Sequence, residues 1–126
     1  CYTVVDCLQV SRLTGVPVLF DVFHHRVNSS GETVGDAMRR CAATWSRQDG
    51  PMMVDYSSQE PGGRRGRHAE HIDLRDFQRF LAQARGINCD VMLEIKDKEK
   101  SALAAAALTS EARQCLCPGR PKRSAG

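Results

Sequence analysis

Three apolar segments of the chain end in a carboxylate or carry one next to the end. They span residues 17–21, 52–56 and 90–94, and each reads as a buried β-strand. The carboxyl ends of parallel strands meet at one edge of a sheet, so these acids and the histidines that follow them are expected to converge. The candidate ligands are Asp21, His24, Asp55, His68 and Glu94. Carboxylate and imidazole groups bind hard or borderline divalent cations, and the pattern therefore predicts a divalent metal site.

Each of these residues also has a simpler interpretation. Asp21 is placed to cap a following turn, in which case His24 and His25 lie in a solvated loop. Asp55 alone fits a turn, and Glu94 alone fits an ion pair with a nearby lysine or arginine. A charge at the end of a buried strand is costly unless it is paired or bound to a metal. Three strands that end alike therefore favour a metal or acid–base site.

The elements that must position these residues follow a β/α rhythm. The strands recur roughly every 35–40 residues with a helical pattern in each gap, which predicts an α/β fold with parallel strands. The first strand is predicted over residues 16–22, and helices over residues 3–13 and 34–47, after Asp73 and through residues 102–108. The expected N-terminal caps are Thr3, Thr33, Asp73 and, for the last helix, Asp97. Three strands cannot close an eight-stranded barrel, which needs roughly 250 residues.

Composition limits the class of protein. The 126 residues form at most one domain, and 41% of them are hydrophobic, which is enough for a core. No apolar run reaches the roughly 18 residues of a membrane span, so no membrane association is expected. Six cysteines without a Cys-x-x-Cys pair favour a reducing, cytoplasmic location. The chain begins at Cys1, and we interpret it as the C-terminal part of a larger protein, with residues 1–114 folded and residues 115–126 a disordered tail.

Basic residues lie close to the predicted site. A glycine-rich loop before His68 carries three arginines, and the net charge of +3 is too small to indicate nucleic-acid binding by itself. Guanidinium groups and backbone amides in such a loop suit phosphate, although loops of this kind are also common as solvated surface. The candidate phosphate-binding residues are Arg26, Arg64, Arg65, Arg67 and Lys96. For Lys96, ion pairs with Asp97 or Glu99 are the simpler interpretation.

Several of these segments together resemble a known family. They are residues 20–28 (FDVFHHRVN), Trp45, residues 55–58 (DYSS), 68–70 (HAE) and 90–99 (DVMLEIKDKE). In this order and at these spacings they resemble the C-terminal half of the UV damage endonuclease family. The resemblance implies a TIM-type (β/α) barrel, of which the chain supplies the C-terminal three β/α units, with divalent ions, typically manganese, at the carboxyl ends of the strands. It also implies nicking of damaged double-stranded DNA immediately 5′ to ultraviolet photoproducts, the first step of excision repair.

The resemblance also implies roles for individual residues. The metal ligands it implies are Asp21, His24, Asp55, His68 and Glu94, and the catalytic residues are Asp21, His24 and Glu94. Asp55 and Met53 stand where many members have a histidine ligand and a lysine, which leaves the number of bound ions open. Two further histidine ligands, a bridging glutamate and the residues that probe damaged bases are expected before Cys1, in an N-terminal half of the same barrel.

We therefore expect the C-terminal part of a manganese-dependent DNA repair endonuclease that is monomeric when complete and inactive as this fragment alone. Two alternatives stay open. A metal-dependent sugar isomerase or epimerase on a related barrel uses similar donors but has no need of the basic loop before His68. The chain is also compatible with a non-catalytic fragment, which would fail to retain manganese even with the upstream half restored.

Overall fold

Three parallel strands form one sheet, with helices in the connections between them. The computed structural model describes the backbone of residues 2–116 and the side chains of residues 2–111. The elements in chain order are α1 (Val4–Thr14), β1 (Phe20–Asp21), α2 (Val22–Val27), α3 (Val34–Ala42), β2 (Met52–Tyr56), α4 (Leu74–Gln83), β3 (Cys89–Leu93) and α5 (Glu99–Leu116). The strand order is β1-β2-β3 and both pairings are parallel. The predicted α/β class with parallel strands is confirmed.

Three helices begin where the sequence predicted, whereas α5 begins at Glu99, two residues after the expected cap Asp97. Thr3, Thr33 and Asp73 cap α1, α3 and α4, and each side chain accepts a hydrogen bond from the backbone amide three residues further on. At the end of α1, Gly15 adopts φ 74°, a left-handed conformation that glycine reaches without strain. No helix among the described residues is long and apolar enough to cross a membrane.

The core lies between the sheet and the helices. Every second residue of β2 faces it, and Tyr56 at the strand's end is fully buried. The Tyr56 ring packs against Phe77 and Phe80 of α4, with ring centroids 4.9 and 5.1 Å away. The alternate residues face the other way, where Met92 of β3 remains 41% exposed. The sheet therefore has one packed face and one open face.

The first strand is shorter than predicted. Only residues 20–21 pair with β2, whereas the prediction ran over residues 16–22. The Val18 amide donates to the Thr44 hydroxyl (2.8 Å), and its carbonyl accepts from the Trp45 indole (2.8 Å). Side chains that follow α3, and not a neighbouring strand, therefore satisfy the backbone of this segment.

Three helices also differ from the prediction. The chain turns directly from β1 into the six-residue α2, which was not predicted, and Asp21 caps it. Helix α3 ends at Ala42 and not near residue 47. The amide and the hydroxyl of Thr44 both donate to the Cys41 carbonyl, at 2.9 and 2.6 Å, and close a turn there. At the other end of the chain α5 reaches Leu116, and the rest of the expected tail lies outside the described residues.

Candidate metal centre

Three carboxylates, one from each strand, converge at one edge of the sheet. Asp21 and Asp55 are direct partners in the parallel register of β1 and β2. Glu94 follows β3, and its amide continues the ladder by donating to the Tyr56 carbonyl (2.9 Å). One carboxylate oxygen from each of the three residues lies within 4.8 Å of the other two. The structure thus brings together three of the five predicted ligands, called the carboxylate cluster below (Asp21, Asp55 and Glu94).

His24 joins this cluster through Asp21. One oxygen of the Asp21 carboxylate accepts from the His24 amide (2.8 Å), and the other lies 2.5 Å from His24 Nδ1. The His24 side chain is 62% exposed, so the ring stands at the open side of the cluster. Asp21 therefore caps α2, as the simpler interpretation held, and also contributes a carboxylate to the cluster.

Asp55 contributes a buried carboxylate oxygen to the carboxylate cluster. Its Oδ1 is buried and has no hydrogen-bond partner among the described residues. Burial raises the pKa of Asp55, and the negative charges of Glu94 and Asp21 raise it further, while His24 opposes them.

The surroundings of the three carboxylates decide whether a cation fits between them. A buried carboxylate oxygen without a donor, close to two further carboxylates, is an arrangement that a divalent cation neutralises. Hard cations such as magnesium, calcium and manganese take oxygen donors of this kind. The carboxylate cluster therefore fits a hard divalent cation.

The other two histidines of interest are not among the three residues of the carboxylate cluster. The His68 ring packs edge to face on Phe23 of α2, with the ring centroids 4.8 Å apart. His25 is buried in the core with 5% of its surface exposed, and its Nε2 lies 3.2 Å from the Glu32 carbonyl. His68 thus borders α2 but does not belong to the group of three carboxylates, and His25 faces the core.

The basic loop is residues 59–68, which leave β2 and return toward α4. An isolated antiparallel bridge pairs its two ends, Gln59 and His68. The Gln59 side chain spans the loop, because it donates to the Arg64 carbonyl (2.9 Å) and accepts from the Gly66 amide (3.0 Å). This glutamine holds the loop in one conformation.

The three arginines of the basic loop have different surroundings. Arg65 donates to the Val27 carbonyl at the end of α2 (2.5 Å), and Arg67 forms an ion pair with Glu60. Arg64 is exposed. Arg65 is therefore the arginine that ties the basic loop to the helix beginning at Asp21.

Arg26 belongs to a network that the sequence did not predict. The Asp76 carboxylate accepts from Arg26 (2.6 Å), from the Tyr56 hydroxyl (2.6 Å) and from Arg79 (3.2 Å). Burial opposes ionisation of Asp76, but these donors outweigh it and lower its pKa. Asp76 thus stays ionised and fixes Arg26 beside the end of β2. The sequence did contain a signal for this network. Tyr56 directly follows the predicted ligand Asp55, and Asp76 lies in the first turn of the helix that Asp73 caps.

Lys96 lies in the connection between β3 and α5 and is exposed. Within residues 2–111 no ion pair involves it, and Asp97, one of its expected partners, instead binds His71 Nδ1 (2.9 Å). Lys96 therefore has no ion-pair partner among the described residues.

Comparison with known proteins identifies the family. The model of the family UV-endonuclease UvdE matches residues 1–115. The chain belongs to this family. A UV DNA damage endonuclease of Bacillus cereus is 32% identical over 104 residues, which cover 81% of this chain and 33% of that protein. One from Clostridium perfringens is 30% identical over 100 residues, which cover 78% of this chain and 24% of that protein. The resemblance found in the sequence is confirmed.

A solved structure agrees with the fold. The crystal structure of SacUVDE superposes with a TM-score of 0.82 at 44% sequence identity, over 89% of this chain and 37% of that chain. This UvdE-family chain therefore spans about a quarter to a third of the length of the curated relatives named above.

Proposed function

We propose that the protein containing this chain is a metal-dependent endonuclease that nicks damaged double-stranded DNA immediately 5′ to ultraviolet photoproducts. The observation that carries the proposal is the carboxylate cluster, with its three side chains from three adjacent strand ends and oxygens within 4.8 Å. The relatives named as UV DNA damage endonucleases supply the reaction class. A cluster of oxygen donors at the ends of strands can hold the cations on which metal-assisted cleavage of phosphodiesters depends.

The roles of the residues follow from their surroundings. Asp21, Asp55 and Glu94 would hold the cation, which we propose is Mn²⁺. The chemistry that such a cation supplies when bound is polarisation of a phosphate oxygen and acidification of water. Asp21 fixes His24 by a bond to Nδ1, which leaves Nε2 for ligation or for moving a proton. His68, the last residue of the basic loop, is proposed as a further metal ligand in the site of the complete protein.

DNA contacts are assigned to the basic residues around the carboxylate cluster. Arg26, Arg64, Arg65, Arg67 and Lys96 would contact the phosphate backbone, where lysine and arginine fix position without reading sequence. Recognition of the photoproduct would exploit its weakened stacking, through residues outside this chain.

The architecture of the complete protein is also part of the proposal. We assign residues 1–114 to the C-terminal three β/α units of a TIM-type barrel, completed by an N-terminal half of the same barrel in a monomer. The open face of the sheet supports this, since it carries the carboxylate cluster and exposed Met92. The free thiols of Cys7, Cys41 and Cys89 support a cytoplasmic location.

A plasmid assay tests the function. The protein expressed from its complete reading frame, with Mn²⁺, is expected to relax irradiated supercoiled plasmid and to leave unirradiated plasmid intact. Asp55→Asn is expected to lower the nicking rate by at least about tenfold, since even outer-shell partners of metals are worth roughly 10–100-fold. The stabilisation by Mn²⁺ in thermal unfolding is expected to fall in the same variant.

Asp90→Asn is the matched control. Asp90 is exposed at the other end of β3 from Glu94, so the same change of charge there is expected to alter neither nicking nor the response to Mn²⁺. Nicking by Asp55→Asn at the wild-type rate would contradict the assigned role of the carboxylate cluster. Conversion of a ketose, with no action on either plasmid, would replace the endonuclease with a sugar isomerase.

A further inference from the structure

A cleft of about 360 Å³ is lined by none of the three residues of the carboxylate cluster. Its walls come from α2, from the basic loop and from the first turn of α4. The lining residues that matter here are Arg26, Ser58, Arg65, Asp73 and Asp76. Helix α2 and the basic loop follow the carboxyl ends of β1 and β2, so the cleft opens on the edge of the sheet that carries Asp21 and Asp55.

Ser58 is the unexplained residue of this cleft. It is only 6% exposed, and its Oγ is buried without a hydrogen-bond partner among the described residues. Its backbone is fixed, because the Ser58 carbonyl accepts from the Ala69 amide (2.8 Å). Buried hydroxyl groups in folded proteins are nearly always hydrogen-bonded, so an acceptor from outside the chain is the expected partner.

Two guanidinium groups accompany this hydroxyl. Arg26 is held by Asp76 (2.6 Å) and Arg65 by the Val27 carbonyl (2.5 Å). A guanidinium group has five N–H donors in a rigid plane, so each of these bonds leaves further donors for a ligand. Both arginines are therefore oriented in advance, which lowers the cost of ordering them around an anion.

The acids of the cleft are already engaged. Asp73 accepts from two amides at the start of α4, and Asp76 is shared by Arg26, Arg79 and Tyr56. Arg65 has no carboxylate partner within residues 2–111. The competing interpretation is a structural ion pair between Arg26 and Asp76 with water on Ser58. That interpretation leaves unexplained why Arg65 is fixed at the same cleft.

We propose that this cleft is a phosphate subsite, in which Arg26, Arg65 and the Ser58 hydroxyl bind one backbone phosphodiester of DNA next to the carboxylate cluster. The inference rests on the proposed function for the source of the phosphate. The same donors suit the phosphate ester of a small sugar phosphate, and the experiment separates the two sources. Asp76 is a positioning residue here, because it acts through Arg26.

The test measures DNA affinity as a function of salt in the protein from the complete reading frame. Removing one phosphate contact lowers the slope of log K against log salt by about 1. Arg65→Gln is expected to show that change and to weaken binding of irradiated and undamaged DNA alike, by about tenfold. Ser58→Ala is expected to weaken both by roughly two- to tenfold with an unchanged slope, because no charge is removed.

Arg85→Gln is the control of equal charge. Arg85 is exposed just after α4, at the end of that helix away from the cleft, and is expected to leave the slope unchanged. A slope for Arg65→Gln equal to that of Arg85→Gln would overturn the subsite. Binding of inorganic phosphate or a hexose phosphate that is lost in Arg65→Gln, while the DNA affinity of that variant equals that of wild type, would overturn the assignment to DNA. Nicking of irradiated plasmid by the wild-type protein reports separately on the proposed function, so failure of that function and failure of the subsite give different results.

Discussion

At the scale of single residues, the carboxylates at the strand ends were predictable from the sequence, but the contacts of the histidines that follow the strands were not. Asp21, Asp55 and Glu94 were found because a carboxylate that ends an apolar strand has few explanations. His24 and His68 were assigned as ligands from the sequence, yet one ring bonds Asp21 and the other packs on Phe23. The directions of both side chains depend on the short helix α2, which no hydrophobic periodicity in the sequence indicates. The ligand role of His24 and His68 stays a prediction.

Asp76 is the residue whose removal is expected to affect stability most clearly. Asp76→Asn leaves Arg26 and Tyr56 without a carboxylate partner and is expected to cost about 1–3 kcal/mol of unfolding free energy at pH 7. The pKa of Asp76 is lowered in the folded protein, so its stabilisation is present above the ordinary value of 3.8 and is lost as pH falls through the lowered pKa. Denaturant unfolding of both proteins from pH 7 downward measures the difference.

The exposed pair of Asp36 and Arg39 supplies the comparison for this prediction. Asp36→Asn removes the same charge from a surface ion pair, which contributes little to stability. A difference between wild type and Asp76→Asn that widened on acidification would contradict the assignment, as would equal stability at pH 7.

At the scale of elements, the sequence predicted types and starts better than ends. Capping side chains mark the first residue of a helix through a local bond, so α1, α3 and α4 begin as expected. Ends depend on distant partners. The apolar run before Phe20 reads as strand, but Thr44 and Trp45 take its hydrogen bonds, which nothing in the local pattern reveals.

The conformation of the basic loop is expected to depend on Gln59. Gln59→Ala removes the bonds to the Arg64 carbonyl and the Gly66 amide, so the loop should open more often. Limited trypsin digestion measures this, because three arginines in the loop are cleavage sites. We expect cleavage there to be about two- to fivefold faster, as for the loss of roughly one net hydrogen bond.

Gln78→Ala on α4 changes an exposed glutamine outside the loop and is expected to leave the digestion rate unaltered. Equal cleavage rates in Gln59→Ala and wild type would show that the backbone bonds within the loop, such as that from the Glu60 amide to the Arg67 carbonyl (2.9 Å), hold it without the Gln59 side chain.

At the scale of the whole molecule, the main feature is the open face of the sheet. Met92 lies on this face, and Leu13 on α1 is 81% exposed, although both are apolar. The chain also covers only 24% and 33% of the two curated relatives described above. The fold class was predictable because strand rhythm is local. How the open face is covered is a property of longer-range contacts.

We therefore expect nicking activity to require the protein from the complete reading frame. The 126 residues expressed alone are predicted to give no detectable nicking of irradiated plasmid under conditions where the complete reading frame relaxes it. The physical reason is that a site with only three clustered carboxylates offers fewer than the six or so ligands that hard cations take. Weak stabilisation by Mn²⁺ of the short chain, compared with the long one, measures the same deficit. Damage-specific nicking by the short chain would contradict this.

Asp21 serves two structures at once, since it caps α2 and belongs to the carboxylate cluster. Under the proposed function, cation occupancy and the order of α2 would therefore be coupled, and thermodynamics would make the coupling reciprocal. Any factor by which an ordered α2 tightens cation binding is also the factor by which the cation orders α2. Helix α2 carries Arg26 into the cleft, so a phosphate bound there would also be coupled, through the order of α2, to a cation at the strand ends.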